Sequence, residues 1–292
     1  MLKTKFEHSV SLLTWGYNEE DLVEEFLDRA IALMETAVED FEIVFVDDGS
    51  TDRTSEIVQA YAKKEQRLRV ISNEKNLNMG ASCRLAIAAA KKEYLFWQMV
   101  DWFYDLKNLR IFLELLKHFD VVQGVRPTPE RLLSHIPLIK SIYRVKTRSD
   151  NIKKAIVSLG NYYLLRILYG IDFHDFQNVT IYPTRRVQSL EIVGRSSFFN
   201  PELLFKTYRE GARFIEVPIK SIPRQAGEAK GSKLSSVLTA VVDIILNFLK
   251  WGWRLNIENR KRRTRQIFRI REPHLLEEEV IRLSAPLFKE FR

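Results

Sequence analysis

The stretch from Phe41 to Asp52 reads FEIVFVDDGSTD and is the most informative part of this 292-residue sequence. Its apolar run Ile43–Val46 has the composition of a strand buried within a sheet, and an acidic turn containing a glycine follows at once. In open α/β sheets, ligands collect beyond the carboxyl ends of the strands. The junction therefore predicts a parallel sheet with a ligand site at its edge.

Short apolar runs and helical patterns alternate on both sides of this stretch. Apolar strands joined by helices predict an α/β fold with a mostly parallel sheet and helices on both faces. In chain order, the predicted elements are a strand at 9–14, a helix at 21–37, a strand at 41–47, a helix at 52–65, a strand at 68–72, a helix at 80–92, a strand at 94–100, a helix at 106–118 and a strand at 120–125. Two further strand-like runs, at 179–182 and 213–217, follow a long polar and aromatic stretch.

Three acidic clusters each follow a predicted strand. They are Tyr17-Asn18-Glu19-Glu20 after the first strand, Asp47 to Asp52 after the second and Asp101-Trp102-Phe103-Tyr104-Asp105 after the fourth. Adjacent carboxylates such as Asp47 and Asp48 repel each other unless a bound base, ribose or cation offsets their charge. Helix capping is the alternative explanation for Ser50, Asp52 and Asp105, whose side chains can accept backbone N–H bonds.

The segments Tyr17-Asn18-Glu19 and Asp47 to Asp52 resemble the Y-N-E and D-D-G-S-x-D motifs that follow the first two strands of the family 2 glycosyltransferases. Within that family, the sequence is most similar to the polyprenyl-phosphate sugar synthases, over residues 8–235. The later segments that support this similarity are Asn76-x-Asn78-x-Gly80, Asp175, Arg224-x-x-Gly227 and Ser232-Lys233.

The resemblance implies a Rossmann-like GT-A fold and an inverting glycosyltransferase that moves a sugar from a UDP- or GDP-sugar to a membrane-associated acceptor, foremost a polyprenyl phosphate. It also implies that Glu19 and Asp47 hold the nucleotide base, while Asp48 or Asp52 shapes the sugar pocket. The donor-binding set that it implies comprises Tyr17, Glu19, Asp47, Asp48, Gly49, Asp52 and Gly80.

The resemblance places the family's metal-binding D-A-D-L-Q segment on Asp101 to Asp105. Phe103 stands where the family has its middle aspartate, and Asp105 stands at the glutamine position. Asp101 and Asp105 are therefore expected to hold Mg or Mn together with substrate phosphates, and Asp101 is also counted as catalytic. The missing middle aspartate motivates an alternative, a non-catalytic protein that binds nucleotide sugars.

The acceptor decides whether such an enzyme needs a general base. A phosphate is already ionised near neutral pH, whereas a hydroxyl acceptor, as in cell-surface glycan synthesis, must lose a proton to a nearby base. The candidate bases are Asp175, which is favoured, and Glu202, whereas a lone histidine such as His174 is more often structural. Relatives have Gly-Phe-Arg where this chain reads Val179-Thr180-Ile181, which leaves both acceptors open.

Four basic residues are expected to bind phosphate on the donor or on a lipid carrier, because guanidinium and ammonium groups pair with phosphate oxygens. They are Arg185, Arg224, Lys230 and Lys233. The last three lie in a glycine-containing segment, for which a solvated surface loop is the alternative.

Residues 234–253 form an apolar stretch long enough to span a bilayer, but polar residues interrupt it on one helical stripe. The stripe consists of Ser236, Asp243, Asn247, Lys250 and Arg254. The apolar face is predicted to consist of Val237, Leu238, Val241, Ile244, Ile245, Phe248 and Leu249. With Trp251, Trp253 and the basic cluster 260–265, the pattern predicts an amphipathic helix lying on an anionic membrane surface. The alternative is a helix packed on the catalytic domain or on another copy of the chain.

Composition and charge further narrow the class of protein, its location and its partners. Hydrophobic residues make up 46% of the chain, which provides for a core and argues against global disorder. Cys83 is the single cysteine, which excludes an internal disulfide, and the first ten residues lack the apolar stretch of a secretion signal. We therefore expect a peripheral protein on the cytosolic face of a membrane. The net charge of +8 comes without a nucleic-acid-binding signature, so no nucleic-acid partner is expected.

The sequence divides into three parts. We expect a GT-A catalytic domain over 1–225, a flexible basic loop and interfacial helix over 226–253, and a basic tail over 254–292. Assembly of several copies is compatible with this organisation, and no function is assigned to 272–292. A nucleotidyltransferase would require a glycine-rich loop near the first strand, and Thr14-Trp15-Gly16-Tyr17 is not one.

Overall fold

The computed structural model describes residues 5–125, 152–220, 222, 234–261 and 266–270. The strands are β1 (Val10–Gly16), β2 (Phe41–Asp47), β3 (Leu68–Ser72), β4 (Tyr94–Trp97), β5 (Val121–Val125), β6 (Thr180–Pro183), β7 (Phe214–Pro218) and β8 (Ile267–Arg269). The helices are α1 (Val23–Ala37), α2 (Thr54–Ala62), α3 (Met79–Ala89), α4 (Leu109–Glu114), α5 (Ile152–Tyr169), α6 (Thr184–Gln188), α7 (Phe199–Arg209), α8 (Leu234–Asn247) and α9 (Trp253–Lys261). A π-helical turn, Phe248–Gly252, joins α8 to α9, and we call 234–261 the C-terminal helix.

The eight strands form a sheet in the order β3-β2-β1-β4-β6-β5-β7-β8. Every neighbouring pair is parallel except the two pairs that include β6. All residues of β1 and β2 are buried, because helices cover both faces of the sheet. The predicted α/β fold with a mostly parallel sheet is confirmed.

The strand register brings the loops that carry the predicted site residues to one edge of the sheet. Gly16 pairs with Asp47, and Asp47 pairs with Ser72, so the loops after β1, β2 and β3 begin at the same level. Strands β4, β5 and β7 run in the same direction, and the antiparallel β6 begins where they end. We call this side of the sheet the carboxyl edge.

Two strands differ from the prediction. β4 ends at Trp97 rather than at residue 100. The Gln98 side chain donates to the Tyr104 carbonyl at 2.8 Å and accepts the Tyr104 N–H at 3.3 Å, and these bonds turn the chain into a loop. β8 lies within the stretch assigned to a basic tail, and it pairs with β7 as part of the sheet.

Two members of the polar stripe of the C-terminal helix, Asp243 and Asn247, face the domain, whereas Lys250 and Arg254 are exposed. Asn247 is 5% exposed and receives a hydrogen bond from the Trp251 indole, and Ile244 is 1% exposed. The prediction that Ile244 lies on an exposed apolar face was wrong, because helical spacing defines the faces but not which one the domain covers. The exposed apolar residues are Leu238, Val242, Ile245, Leu246, Leu249, Trp253 and Ile257. Among the helices described, none combines the length and apolarity needed to cross a bilayer.

Candidate functional site

Unusual backbone conformations concentrate at the carboxyl edge. Asn18, Asn78 and Trp102 have φ values of 54°, 72° and 52°, and they are the three non-glycine residues with positive φ in the described part of the chain. They lie in the loops after β1, β3 and β4, and Gly49, with φ of 74°, lies in the loop after β2. In non-glycine residues such conformations cost on the order of 1–3 kcal/mol each and cluster at functional sites. This edge is therefore the candidate site.

The loop after β1 is fastened to the loop after β2. The backbone N–H groups of Glu19 and Glu20 donate to Thr54 Oγ1 and Asp52 Oδ2, at 2.8 and 3.2 Å. Asp52 also accepts a bond from the Thr54 N–H at 2.9 Å. Burial acts to raise the pKa of Asp52, but the hydrogen bonds from Thr54 and from backbone N–H groups outweigh it and lower that pKa. Asp52 thus links the loop after β1 to the start of α2, whose N-cap position is Arg53.

The doubled aspartate is buried at the end of β2. Asp47 and Asp48 are 2% and 5% exposed. Asp47 Oδ1 accepts the Ser50 N–H at 3.1 Å. Asp48 Oδ1 accepts two bonds of 2.9 Å, from Asn73 Nδ2 and from the Leu77 N–H. Asp48 therefore ties the end of β2 to the segment that leads into α3.

Glycine is required directly after this pair. A Cβ atom on Gly49 would lie 2.5 Å from the carbonyl carbon of Lys75, and the residue has positive φ. The loop after β2 thus packs against the segment before α3 with no room for a side chain. Tyr17 and Glu19 are half-buried in the adjoining loop. We call the loops after β1 and β2 the donor-side wall, after the donor-binding role that was predicted for their residues.

Gly80, in the first turn of α3, packs against the loop formed by residues 193–196. Its N–H donates to the Arg195 carbonyl at 3.3 Å, and a Cβ atom there would lie 2.4 Å from the Gly194 carbonyl oxygen. The residue predicted to bind the donor therefore also makes a close backbone contact between two elements of the site.

The loop after β4 carries the predicted metal ligands. Asp101 is half-buried and lines a cleft together with Phe26, Trp102 and Ile222. The Trp102 ring packs edge-on against Phe26 at 5.8 Å between centroids, and the Arg29 guanidinium lies 4.3 Å from the Trp102 centroid. The strained Trp102 backbone is thus held by packing against α1.

The second predicted ligand lies on the same loop. The Asp105 N–H donates to the Lys220 carbonyl at 3.0 Å, and the Phe103 carbonyl accepts the Ile222 N–H at 2.8 Å. The Asp105 carboxylate lies 3.6 Å from Lys107 Nζ. Among the described residues, no group of three or more His, Cys, Asp or Glu side chains is placed to hold a metal. Two carboxylates suit a Mg²⁺ or Mn²⁺ ion whose remaining ligands are substrate phosphates and water.

The two candidate bases accept hydrogen bonds from backbone N–H groups. Asp175 is 1% exposed, and its Oδ1 accepts the N–H groups of Phe176 and Gln177 at 2.9 and 3.1 Å. Gln123, a lone polar residue in the apolar strand β5, donates to the Asp175 carbonyl at 2.6 Å. Glu202 is 0% exposed and accepts the Gly194 N–H at 2.7 Å. Both carboxylates hold backbone in place.

Comparison with known proteins identifies the family. The model of the family described as glycosyl transferase family 2 matches residues 11–169, more than half of the chain. The chain belongs to glycosyl transferase family 2. It is 25% identical to human dolichyl-phosphate beta-glucosyltransferase over 263 residues, which cover 84% of this chain and 78% of that protein.

Two further relatives of this family 2 chain differ in length. It is 24% identical to the undecaprenyl-phosphate mannosyltransferase of Micrococcus luteus over 238 residues, 78% of this chain and 89% of that protein. It is 23% identical to the glycosyltransferase AglD of Haloferax volcanii over 265 residues, 88% of this chain but only 39% of AglD. The chain thus spans well under half the length of AglD.

Solved structures show the same fold. Glucosyl-3-phosphoglycerate synthase from Mycobacterium tuberculosis, in complex with Mn²⁺, UDP and glucosyl-3-phosphoglycerate, matches with a TM-score of 0.56 and 16% identity, over 82% of this chain and 80% of that chain. At this identity, the likeness shows the GT-A fold alone.

Of the four predicted phosphate-binding residues of this family 2 chain, one, Arg185, lies within the described part of the structure. Arg185 is exposed on α6, directly after the point where Pro183 pairs with Tyr94, the first residue of β4. It therefore lies at the edge of the sheet opposite the carboxyl edge. Arg224, Lys230 and Lys233 lie outside the described residues, as do 262–265 and 271–292.

Sequence reasoning missed a charged cluster beside Asp175. Glu216 on β7 is 1% exposed and accepts the His174 N–H at 2.6 Å and Arg269 Nε at 2.7 Å. Burial raises the pKa of Glu216 to about 7, even though the hydrogen bonds from His174 and Arg269 act to lower it. Arg269 also pairs with Asp172 at 3.1 Å. The one sequence signal was a glutamate within the apolar run of β7.

Proposed function

We propose that this chain is an inverting transferase that moves a sugar from a UDP- or GDP-sugar to a lipid phosphate at a membrane surface. The observation that carries the proposal is the buried pair Asp47 and Asp48 at the carboxyl edge, surrounded by strained turns. The base and ribose of a nucleotide sugar offer the N–H and O–H donors that such carboxylates accept. Relatives named for dolichyl phosphate and undecaprenyl phosphate support the same acceptor class.

Charge neutralisation is the main chemical task at this site. A nucleoside diphosphate leaves as the glycosidic bond breaks, and its developing negative charge must be stabilised. A divalent cation held by Asp101 and Asp105 would supply that stabilisation. The mycobacterial structure, which contains Mn²⁺ with UDP, supports a divalent cation as the stabilising group. The cleft between α1 and Trp102 would keep Asp101 shielded from bulk water.

The state of the candidate bases favours a phosphate acceptor. Asp175 and Glu202 each accept backbone N–H bonds, so they serve to fix the loops around them. A hydroxyl acceptor would require a base directed at its proton, whereas a phosphate monoester is already ionised and can attack the anomeric carbon directly. A hydroxyl acceptor in cell-surface glycan synthesis is the second candidate, and Asp175 would then be the base to test.

The exposed apolar residues of the C-terminal helix support docking on a membrane. Leu246 and Leu249 are 49% and 63% exposed, although their neighbour Ile244 is buried. Helix α5 adds exposed apolar residues, since Ile167 is 71% exposed and its carbonyl accepts a bond from Asn256 on α9. Contiguous apolar surface of this kind marks a membrane or protein interaction site.

The charge on the helix supports an anionic bilayer as the occupant of this surface. Lys250 and Arg254 are exposed on the same helix, and the sequence continues into the basic cluster 260–265. Basic residues beside an apolar helix face are attracted to anionic lipid headgroups, by about 1 kcal/mol each. A peripheral position on the cytosolic face remains part of the proposal, and a second copy of the chain is the competing occupant.

The proposal is tested by following release of UDP and GDP from a panel of nucleotide sugars, with Mn²⁺, Mg²⁺ or EDTA and with or without a short polyprenyl phosphate. Release that requires both the cation and the lipid phosphate, and that is lost in Asp101→Asn, is the expected result. Release with a hydroxyl acceptor instead would support the second candidate. Nucleotide binding without any turnover would support the alternative of a non-catalytic protein, which was motivated by Phe103 at the position of the family's middle aspartate.

A further inference from the structure

Two carboxylates hold the 193–196 loop through four successive backbone amides. Glu202 on α7 accepts the N–H groups of Val193 and Gly194, at 3.1 and 2.7 Å. Asp243 on the C-terminal helix accepts the next two, from residues 195 and 196, at 2.9 and 2.8 Å, both on Oδ2. Bonds from amides to an ionised carboxylate are stronger than neutral ones, so the loop has little freedom to move.

The carbonyl groups of the same loop face the start of α3. The Gly194 carbonyl accepts Arg84 Nη1 at 2.8 Å, and the Arg195 carbonyl accepts the Gly80 N–H at 3.3 Å. A Cβ atom on Gly80 would lie 2.4 Å from the Gly194 oxygen, so the two backbones are already in close contact. A shift of the loop must therefore displace the first turn of α3.

The first turn of α3 in turn adjoins the donor-side wall. Asn73 and Leu77, in the segment leading into α3, donate to Asp48 at 2.9 Å each. Gly49 packs against the backbone of the same segment. A continuous series of hydrogen bonds and close contacts thus runs from Asp243 to the doubled aspartate.

Within the described part of the C-terminal helix, Asp243 is the charged residue that bonds to this loop, whereas Lys250 and Arg254 are exposed. Asn247, one turn along, is buried on the same stripe, but its side chain bonds within its own helix, to the Asp243 carbonyl and the Trp251 indole. The two residues therefore share a face and differ in whether they touch the loop.

We propose that Asp243 is a positioning residue for the donor site, which acts by fixing the 193–196 loop and, through it, the first turn of α3 beside Asp48. The inference rests on the proposed function for the identity of the donor. It also gives a reason for a carboxylate on the domain-facing side of this helix, beside the buried Ile244.

The test compares Asp243→Ala with Asn247→Ala as a matched control, using the full chain. Binding of UDP and GDP is measured by calorimetry, and the KM for the nucleotide sugar and for the polyprenyl phosphate are measured separately. We expect Asp243→Ala to raise the nucleotide Kd and the donor KM by about tenfold, because two charge-assisted bonds are lost, and to leave the lipid KM unchanged. Asp243→Asn keeps an acceptor oxygen and should fall between alanine and wild type.

Equal nucleotide Kd values for Asp243→Ala and wild type would overturn the inference. An equal rise in the Asn247→Ala control would also overturn it, since the effect would then come from general loosening of the helix. If the wild-type chain binds neither UDP nor GDP, it is the proposed function that fails. Thermal unfolding of each variant shows that nucleotide binding was measured on folded protein.

Discussion

Replacing Leu246 and Leu249 by glutamine should release the protein from anionic membranes without unfolding it. The two side chains are 49% and 63% exposed, so a bilayer would cover about half of each. Complete burial of a leucine is worth about 1.5–3 kcal/mol, which gives roughly 2–3 kcal/mol for the pair. Each 1.4 kcal/mol is a factor of ten, so the partition coefficient should fall by about 30- to 100-fold.

The assay is co-sedimentation with liposomes that contain phosphatidylglycerol, at low and high salt. The double methionine variant at the same positions is the control, because it keeps apolar side chains of similar size. We expect methionine to bind like wild type and glutamine to lose binding, with thermal unfolding unchanged in both. If the glutamine variant sediments as well as wild type, these exposed apolar residues do not contact lipid, and gel filtration should then be examined for self-association.

Three further predictions concern the fold and the site. Gly49→Ala should lower the free energy of unfolding by about 1–3 kcal/mol and abolish nucleotide binding. The residue has a left-handed backbone conformation, and the added Cβ would lie 2.5 Å from the Lys75 backbone. Thermal unfolding like that of wild type would contradict this. Ile244→Glu should destabilise the fold by more than about 4 kcal/mol, because it places a charge at a 1% exposed position, whereas Leu246→Glu should not; chemical denaturation of both variants decides. Burial raises the pKa of Glu216 in the folded state to about 7 from 4.5, so between pH 4.5 and 7 the folded state binds more protons than the unfolded state. The free energy of unfolding should therefore fall by about 3 kcal/mol as pH rises from 4.5 to 7. Glu216→Gln should flatten this dependence in urea titrations, with Arg269, Asp172 and His174 unchanged, and parallel curves for the two proteins would refute the assignment.

The sheet and the loops that follow its first two strands could be predicted from the sequence because their signals are local. The apolar run before Asp47 and the acidic turn after it lie within twelve consecutive residues, and the strand and its loop follow from that pattern. The loop after β4 was harder to predict. The hydrogen bonds between Gln98 and Tyr104 determine where β4 ends. Both residue types occur in strands and in loops, so the sequence does not mark this end.

Other features depend on contacts between distant parts of the chain. The spacing of polar residues on the C-terminal helix was visible, but only packing shows that Asp243 and Asn247 face the domain. Arg269 joins Glu216 across 53 residues, and no sequence period connects them. Glu202 was predicted as a base because of its position in the chain, and its contact with Gly194 emerges only once α7 and the 193–196 loop are folded together.

The most direct test of the account is transfer of a labelled sugar. The chain would be incubated with labelled UDP-glucose or GDP-mannose, a polyprenyl phosphate and Mg²⁺ or Mn²⁺, and the lipid phase extracted and analysed by mass spectrometry. We expect a lipid-linked sugar monophosphate with inverted anomeric configuration, which is absent with EDTA and in Asp101→Asn. Labelled sugar that appears only in water-soluble products, with every nucleotide sugar and lipid phosphate tried, would contradict it.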